Sequence, residues 1–388
     1  MTKINYNFAF LIALTIILSA TNINISSVYY TVIIFTFIIV FIKFVLPYKF
    51  KLNVFTFLFI ISAGLSILFN DINPLLKVHE RLLIFILIVS IFGPLFNTKK
   101  IVVFRFFLFE NFKLLIVSFV FLSFVLQLYG IGLSNEFKFT GLANHSMIMG
   151  PLSSLSILIC IDKYTNSSTK KTKLIFILLF FLSIFSAILS ASRSALIAVL
   201  ISLILYFILK SSNLFSTIKK MVLFFIAIVF IINLNPYGVL DNLNAKIEHR
   251  ESIDNITSGR DRMWQDRIDD FKMSPIIGVG YSNYVNIDNS KIDFATGESE
   301  SGGGWIFLLS SLGLLGFTFY IIPIVNILIK TNRNSPVSFY FLLFFVIHSF
   351  AEGYMLAIGH PFAILMWLSI SSSHDHFKNN NLYGYKKA

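Results

Sequence analysis

Apolar stretches long enough to cross a bilayer recur from one end of this sequence to the other, and only one long interval interrupts them. In hydrocarbon every backbone N–H and C=O must be satisfied within the protein, so continuous apolar stretches of this length cross as helices. Composition agrees: 56% of the 388 residues are hydrophobic and 13% charged, with a mean hydropathy of +0.80, whereas soluble domains carry roughly 25% charged residues. The pattern predicts an all-α integral membrane protein of about twelve transmembrane helices. The spans read as 8–20, 28–46, 54–69, 82–96, 114–133, 147–161, 174–190, 195–209, 221–234, 305–329, 338–350 and 357–370. Spans one to nine fill 1–234, one large loop occupies 235–304, spans ten to twelve fill 305–370, and 371–388 form a tail. Lys3 ahead of the apolar 8–20 resembles a signal peptide, but a second apolar stretch comes after a short polar turn, so the first reads as a span.

Charge sets the orientation. With the N-terminus inside, the inner segments hold twenty of the 31 Lys+Arg. The short outer connectors hold four, Lys77, Arg81, Lys138 and Arg193, and the long loop seven. That asymmetry predicts cytoplasmic termini and an extracytoplasmic loop in a multi-pass membrane protein. The formal net charge of +12 is then a consequence of topology, and no nucleic-acid partner is expected. The single cysteine, Cys160, excludes an intrachain disulfide and a Cys-based zinc site. No metal-ligand spacing, phosphate loop or Ser–His–Asp arrangement is present, so neither metal nor cofactor is expected.

The long loop holds more than half of the 19 Asp+Glu, and it is where chemistry needing charge and water belongs. Ser258 and Asp261 have capping-box spacing, and Pro275 stops a helix begun there, which predicts a helix over 259–272. Its spacing sets Arg260, Trp264, Arg267 and Phe271 on one stripe. Residues 275–281 read as a turn with permissive Gly278 and Gly280, and 301–304 as a hinge.

Each candidate residue has a plain reading beside the functional one. Arg193, in a tight outer turn, snorkels to headgroups or binds phosphate oxygens with Ser190, Ser192 and Ser194 around it. Arg260 and Arg267 are a solvated helix face, or a diphosphate clamp with Trp264 stacked on a sugar or an apolar tail. Glu298 and Glu300 are loop acids, yet Glu300 beside the hinge is placed to act as a general base or to hold a sugar hydroxyl. Glu352, an acid in an apolar outer turn, is either a catalytic group or the partner of an arginine. His145, His348 and His360 read first as packing residues, and His145 joins Trp264 and Ser192 as a candidate substrate contact.

The order Ser190-Ala191-Ser192-Arg193, then Gly259-Arg260 with Trp264, then Pro275-Ile276-Ile277-Gly278-Val279-Gly280, resembles the O-antigen polymerase/ligase family. Gly313-Leu314-Leu315-Gly316 fits the same pattern, and the resemblance spans roughly 141 to 367. It implies a metal-independent glycosyltransferase of GT-C-like architecture, acting on undecaprenyl-diphosphate-linked oligosaccharides at the outer face among membrane lipids. Matched by motif, Arg193 and Arg260 are its diphosphate-binding arginines, with Arg267 beside them. Ligases of the family resemble one another in a His-Asn pair before the span that comes after the loop. This chain has Glu298-Ser299-Glu300-Ser301-Gly302 there, which favours a Wzy-type polymerase, with a chain-length regulator and a flippase as expected partners. Ligase is the second reading. A flippase or other twelve-span transporter is the third, disfavoured because its sites belong at the midplane between repeated halves.

Overall fold

A computed structural model describes residues 3–21, 23, 26–130, 139–210, 260–285, 292 and 302–378. The predicted ninth span, Glu298 and Glu300 lie outside the described residues. The first eight helices are α1 (Lys3–Leu18), α2 (Ser26–Val40), α3 (Val54–Leu68), α4 (Val78–Ile91), α5 (Lys99–Gln127), α6 (Ser146–Asn166), α7 (Lys170–Leu189) and α8 (Arg193–Lys210). After them come α9 (Arg260–Met273), α10 (Gly304–Ile329), α11 (Val337–His348) and α12 (Pro361–Lys378). Helix starts are fixed by side chains that accept the first free N–H groups: Asn53 from Thr56, Thr98 from Ile101, His145 from Met147 and Thr169 from Thr172.

Among the described residues, six helices are long and apolar enough to cross a membrane: α2 with the turn that extends it to Val45, α5, α6, α7, α8 and α10. Shorter apolar helices lie at Tyr6–Leu18, Val54–Leu68 and Val337–His348. The protein is therefore a largely helical, multi-pass membrane protein. One exception to all-α is a two-residue strand pair, β1 (Lys51–Leu52) with β2 (Phe96–Asn97), antiparallel and joining two connectors.

Two departures from the sequence reading have physical causes. The stretch 99–113, expected as a connector, is continuous with the fifth span in the single helix α5 of 29 residues. Its charges are neutralised within the bundle: Arg105 lies 3.6 Å from Asp375 with both side chains 1% exposed, and Lys113 pairs with Glu110 one turn away. Helix α10 is broken at Gly313, whose φ of 61° interrupts the helical ladder.

That break is filled by the loop. The amides of Val279 and Gly280 donate to the carbonyls of Ser310 and Ser311 at 2.9 and 3.2 Å. In return, the amides of Leu314 and Leu315 donate to Pro275 and Ile276 at 2.9 and 3.0 Å. Irregular backbone within a membrane protein has to be satisfied by protein groups, and 275–280 does this for the broken helix. The approach is close: a Cβ on Gly278 would stand 2.3 Å from the Ser311 backbone, and one on Gly313 2.3 Å from the Ile276 carbonyl. The two glycine motifs are thus two halves of one joint.

Helices α8 and α11 pack against each other and run antiparallel. Tyr206, late in α8, meets Tyr340, early in α11, with ring centroids 4.7 Å apart. Arg193 at the start of α8 and the chain leaving α11 after His348 therefore lie at the same end of the bundle. Lys210 and Val337 lie together at the other end.

Candidate active site

The site is built where three separate pieces of chain meet at that first end. Helix α9 supplies Arg260 and Trp264, residues 302–304 lead into α10, and 349–360 form the turn between α11 and α12. The amide of Gly304 donates to Ser349 at 2.8 Å, tying the hinge to the turn. A Cβ on Gly303 would lie 2.9 Å from the Phe350 carbonyl and 3.1 Å from Trp264 Nε1, so the bare glycines let the hinge pass between indole and turn. Trp264 Nε1 is shielded from water and has no hydrogen-bond partner among the described residues.

Arg260 closes the arrangement. Its Nη2 donates to Glu352 Oε1 at 2.7 Å, with the two side chains 20% and 22% exposed. The reading of Glu352 as the partner of an arginine is thus realised, and that arginine is one of the two the family resemblance matched. The pair is half open: a guanidinium presents several donors, only part of which face Glu352, and a phosphate competes well for them.

Next to it the turn is packed by stacked rings. His348 Nδ1 lies 3.1 Å from Tyr354 Oη, and both rings are buried. Phe344, His348, Tyr354 and His360 stack in sequence, with centroids 5.3, 5.6 and 5.6 Å apart. Burial pushes the Tyr354 phenol well above its ordinary pKa, so it stays protonated. Tyr281 donates to the Leu356 carbonyl at 2.9 Å and Tyr29 to Ile358 at 2.8 Å, anchoring the turn to the glycine joint and to α2. Sequence reading set His348 and His360 aside as packing residues; only the contact between α9 and the last turn shows that they underlie Glu352.

Arg267 faces elsewhere. It is 6% exposed, its Nη1 donates to Asp270 at 2.7 Å, and its guanidinium lies over the Tyr284 ring at 3.5 Å. Burial lowers the Arg267 pKa and raises that of Asp270, each opposed by the other's charge. The expected stripe of Arg260, Trp264 and Arg267 is therefore divided, with the third member closed into an internal ion pair.

Arg193 is exposed at the first residue of α8. Ala191 in the turn before it has a left-handed φ of 52°. Gly150 of α6 lets the turn sit close, since a Cβ there would come 2.4 Å from Ser192 Cβ. The Ser190 hydroxyl is engaged with the Ala187 carbonyl at 2.7 Å, leaving Ser192 and Ser194 as the less buried hydroxyls of the turn. His145 is exposed and caps α6 by accepting from the Met147 amide at 3.1 Å. No cluster of three or more metal-ligating side chains occurs among the described residues.

A multi-pass helical bundle with an arginine–carboxylate pair and a second arginine exposed at one end is the class the geometry defines. Residues 178–321 match the family model described as O-Antigen ligase, which supports the resemblance to the O-antigen polymerase/ligase family that the motifs carry. The match contains the 190–193 turn, α9 and the glycine joint, and stops short of Glu352. No curated protein matches the chain.

Proposed function

We propose that the protein is a surface-polysaccharide polymerase, joining undecaprenyl-diphosphate-linked oligosaccharide units at the extracytoplasmic face of a bacterial cytoplasmic membrane. The observation that carries this reading is the half-open Arg260–Glu352 pair at 2.7 Å, at the same end of the bundle as Arg193. A lipid diphosphate, with more charge than a carboxylate, displaces Glu352 from Arg260 and is held by Arg260 and Arg193. The released carboxylate then takes the proton from the acceptor hydroxyl as its oxygen forms a bond to the anomeric carbon. The bond from that carbon to the diphosphate oxygen breaks, the electron pair leaves with the diphosphate, and the arginines stabilise its growing charge. Glu300 is the second candidate for the base. In this reading Trp264 stacks on the sugar or the lipid, and Ser192 and His145 line the approach of the second substrate. Arg267, closed against Asp270 and Tyr284, supports α9 in this reading.

Polymerase rather than ligase rests on 298–302, where acids stand in place of the His-Asn pair. Deleting the gene and resolving the surface polysaccharide by length tests it. The polymerase reading expects single units still attached to the final carrier and no long-chain ladder. Long chains that form but stay unattached on undecaprenyl diphosphate overturn it in favour of the ligase.

A further inference from the structure

At the end of the bundle opposite Arg193 and Arg260, α5, α6, α8, the turn before α11 and α12 line a half-open cavity of about 640 Å3. That is the size range of small-molecule sites. One wall is apolar, from Val103, Phe106 and Phe107; the other carries Glu110, Lys113, Asp162 and Lys210. Both signs of charge face the same space.

The cations are not equivalent. Lys113 is paired with Glu110, whose other oxygen lies 3.6 Å from Lys163. Lys210, half-buried at the last residue of α8, makes no ion pair within 4.0 Å among the described residues. Helix α11 starts at this cavity with Pro336 as its N-cap and no side chain capping its first amides. Free N–H groups at a helix start favour an anion. Ser372 Oγ, also on the lining, is shut from solvent and has no hydrogen-bond partner among the described residues. Together these groups offer donors to an anion. Asp162 lines the same cavity, its carboxylate accepting from Asn166 at 3.0 Å and lying among the charges of Lys113, Lys163 and Lys210.

The depth of the cavity decides the kind of ligand. Helix α8 has 18 residues, which at 1.5 Å per residue is about 27 Å, close to the hydrocarbon thickness of a bilayer. With Arg193 at one surface, Lys210 lies at headgroup level in the opposite leaflet. A molecule there with a phosphate, a nearby ammonium and apolar chains is a zwitterionic phospholipid. We propose that this cavity holds the phosphoethanolamine headgroup of such a lipid, with the phosphate on Lys210 and the start of α11 and the ammonium on Asp162. Phe106 and Phe107 would pack against its glycerol and acyl carbons.

Native mass spectrometry of the purified full-length protein, after incubation with vesicles of phosphatidylethanolamine or phosphatidylglycerol, tests this. The ethanolamine lipid is expected to be retained over the glycerol lipid by roughly fivefold, and to resist millimolar inorganic phosphate. Lys210→Gln and Asp162→Asn are each expected to lower its retention to that of the glycerol lipid. Lys171→Ala, an exposed lysine outside the lining, is expected to leave it unchanged. Lys210, at a helix end, can be neutralised without opening the core, so its variant gives a result even if Asp162→Asn fails to fold. Equal retention of the two lipids, no effect of Lys210→Gln, or displacement by inorganic phosphate each overturns the proposal.

Discussion

Two arginine–carboxylate pairs mark the two ends of this bundle, and they differ in what surrounds them. Arg105 and Asp375 are each 1% exposed and join α5 to α12, and the Arg105 Nε also donates to the Ile91 carbonyl at 3.1 Å. Arg260 and Glu352 are 20% and 22% exposed and join a loop helix to a turn. A sealed pair has no competitor for its charges, so its work is to hold helices in register. A half-open pair can exchange one partner for a ligand, because water and solute reach it. An arginine beside a carboxylate thus serves packing at one end and, in the proposed function, binding at the other.

Breaking the sealed pair has the largest expected effect. Arg105→Ala removes the buried cation beside Asp375 and, among the described residues, leaves that carboxylate only the His374 ring at 3.5 Å, a cost of about 3–5 kcal/mol. Loss of folded protein from the membrane fraction, monitored by size-exclusion chromatography of a tagged chain, is the expected outcome. The half-open pair should behave in the opposite way. Arg260→Ala is expected to abolish long-chain polymer while the protein accumulates normally, and Arg193→Ala to do the same. Lysine at either position should restore activity only in part, since a point charge does not reproduce bidentate phosphate binding. Immunoblotting beside a length-resolved polysaccharide profile reads both quantities at once.

Glu352→Gln sharpens the comparison further. It keeps the shape of the turn and removes the proton acceptor, so polymerisation by purified protein should slow by roughly 10²–10⁴-fold with folding retained. Activity equal to wild type would give Glu352 a pairing role alone and leave Glu300 as the base. The smallest effect is expected on the outer surface of α9, where Lys272 and Asp269 pair at 2.8 Å while 65% and 54% exposed. Asp269→Ala should leave both the melting temperature and the polymer profile as they were.

Much of this was legible in the sequence because it is local. The helix predicted over 259–272 is found at Arg260–Met273, since its cap, period and terminating proline all lie within one short stretch. What escaped the sequence depends on contacts between distant residues. Arg267 lies on the predicted stripe but turns inward because Tyr284 comes to lie under its guanidinium, a position that only the folded 274–285 segment supplies. Helix α5 runs on through Arg105 because Asp375, near the far end of the chain, neutralises it. Gly278 and Gly313 read as separate motifs, yet the Ser311–Leu312 backbone crowds Gly278 and the Ile276 and Gly278 backbone crowds Gly313. Pairing of Arg260 with Glu352 was one of two readings of that acid, and the fold brings the two together.

The central claim is that Arg260 exchanges Glu352 for a lipid diphosphate. Titrating the purified protein with undecaprenyl diphosphate measures this without any sugar chemistry. Arg260→Ala is expected to raise Kd by at least about tenfold, the loss of roughly 1.4 kcal/mol of charge-assisted binding, while Asp269→Ala binds as wild type does. Equal affinity in the wild type and Arg260→Ala would contradict the account.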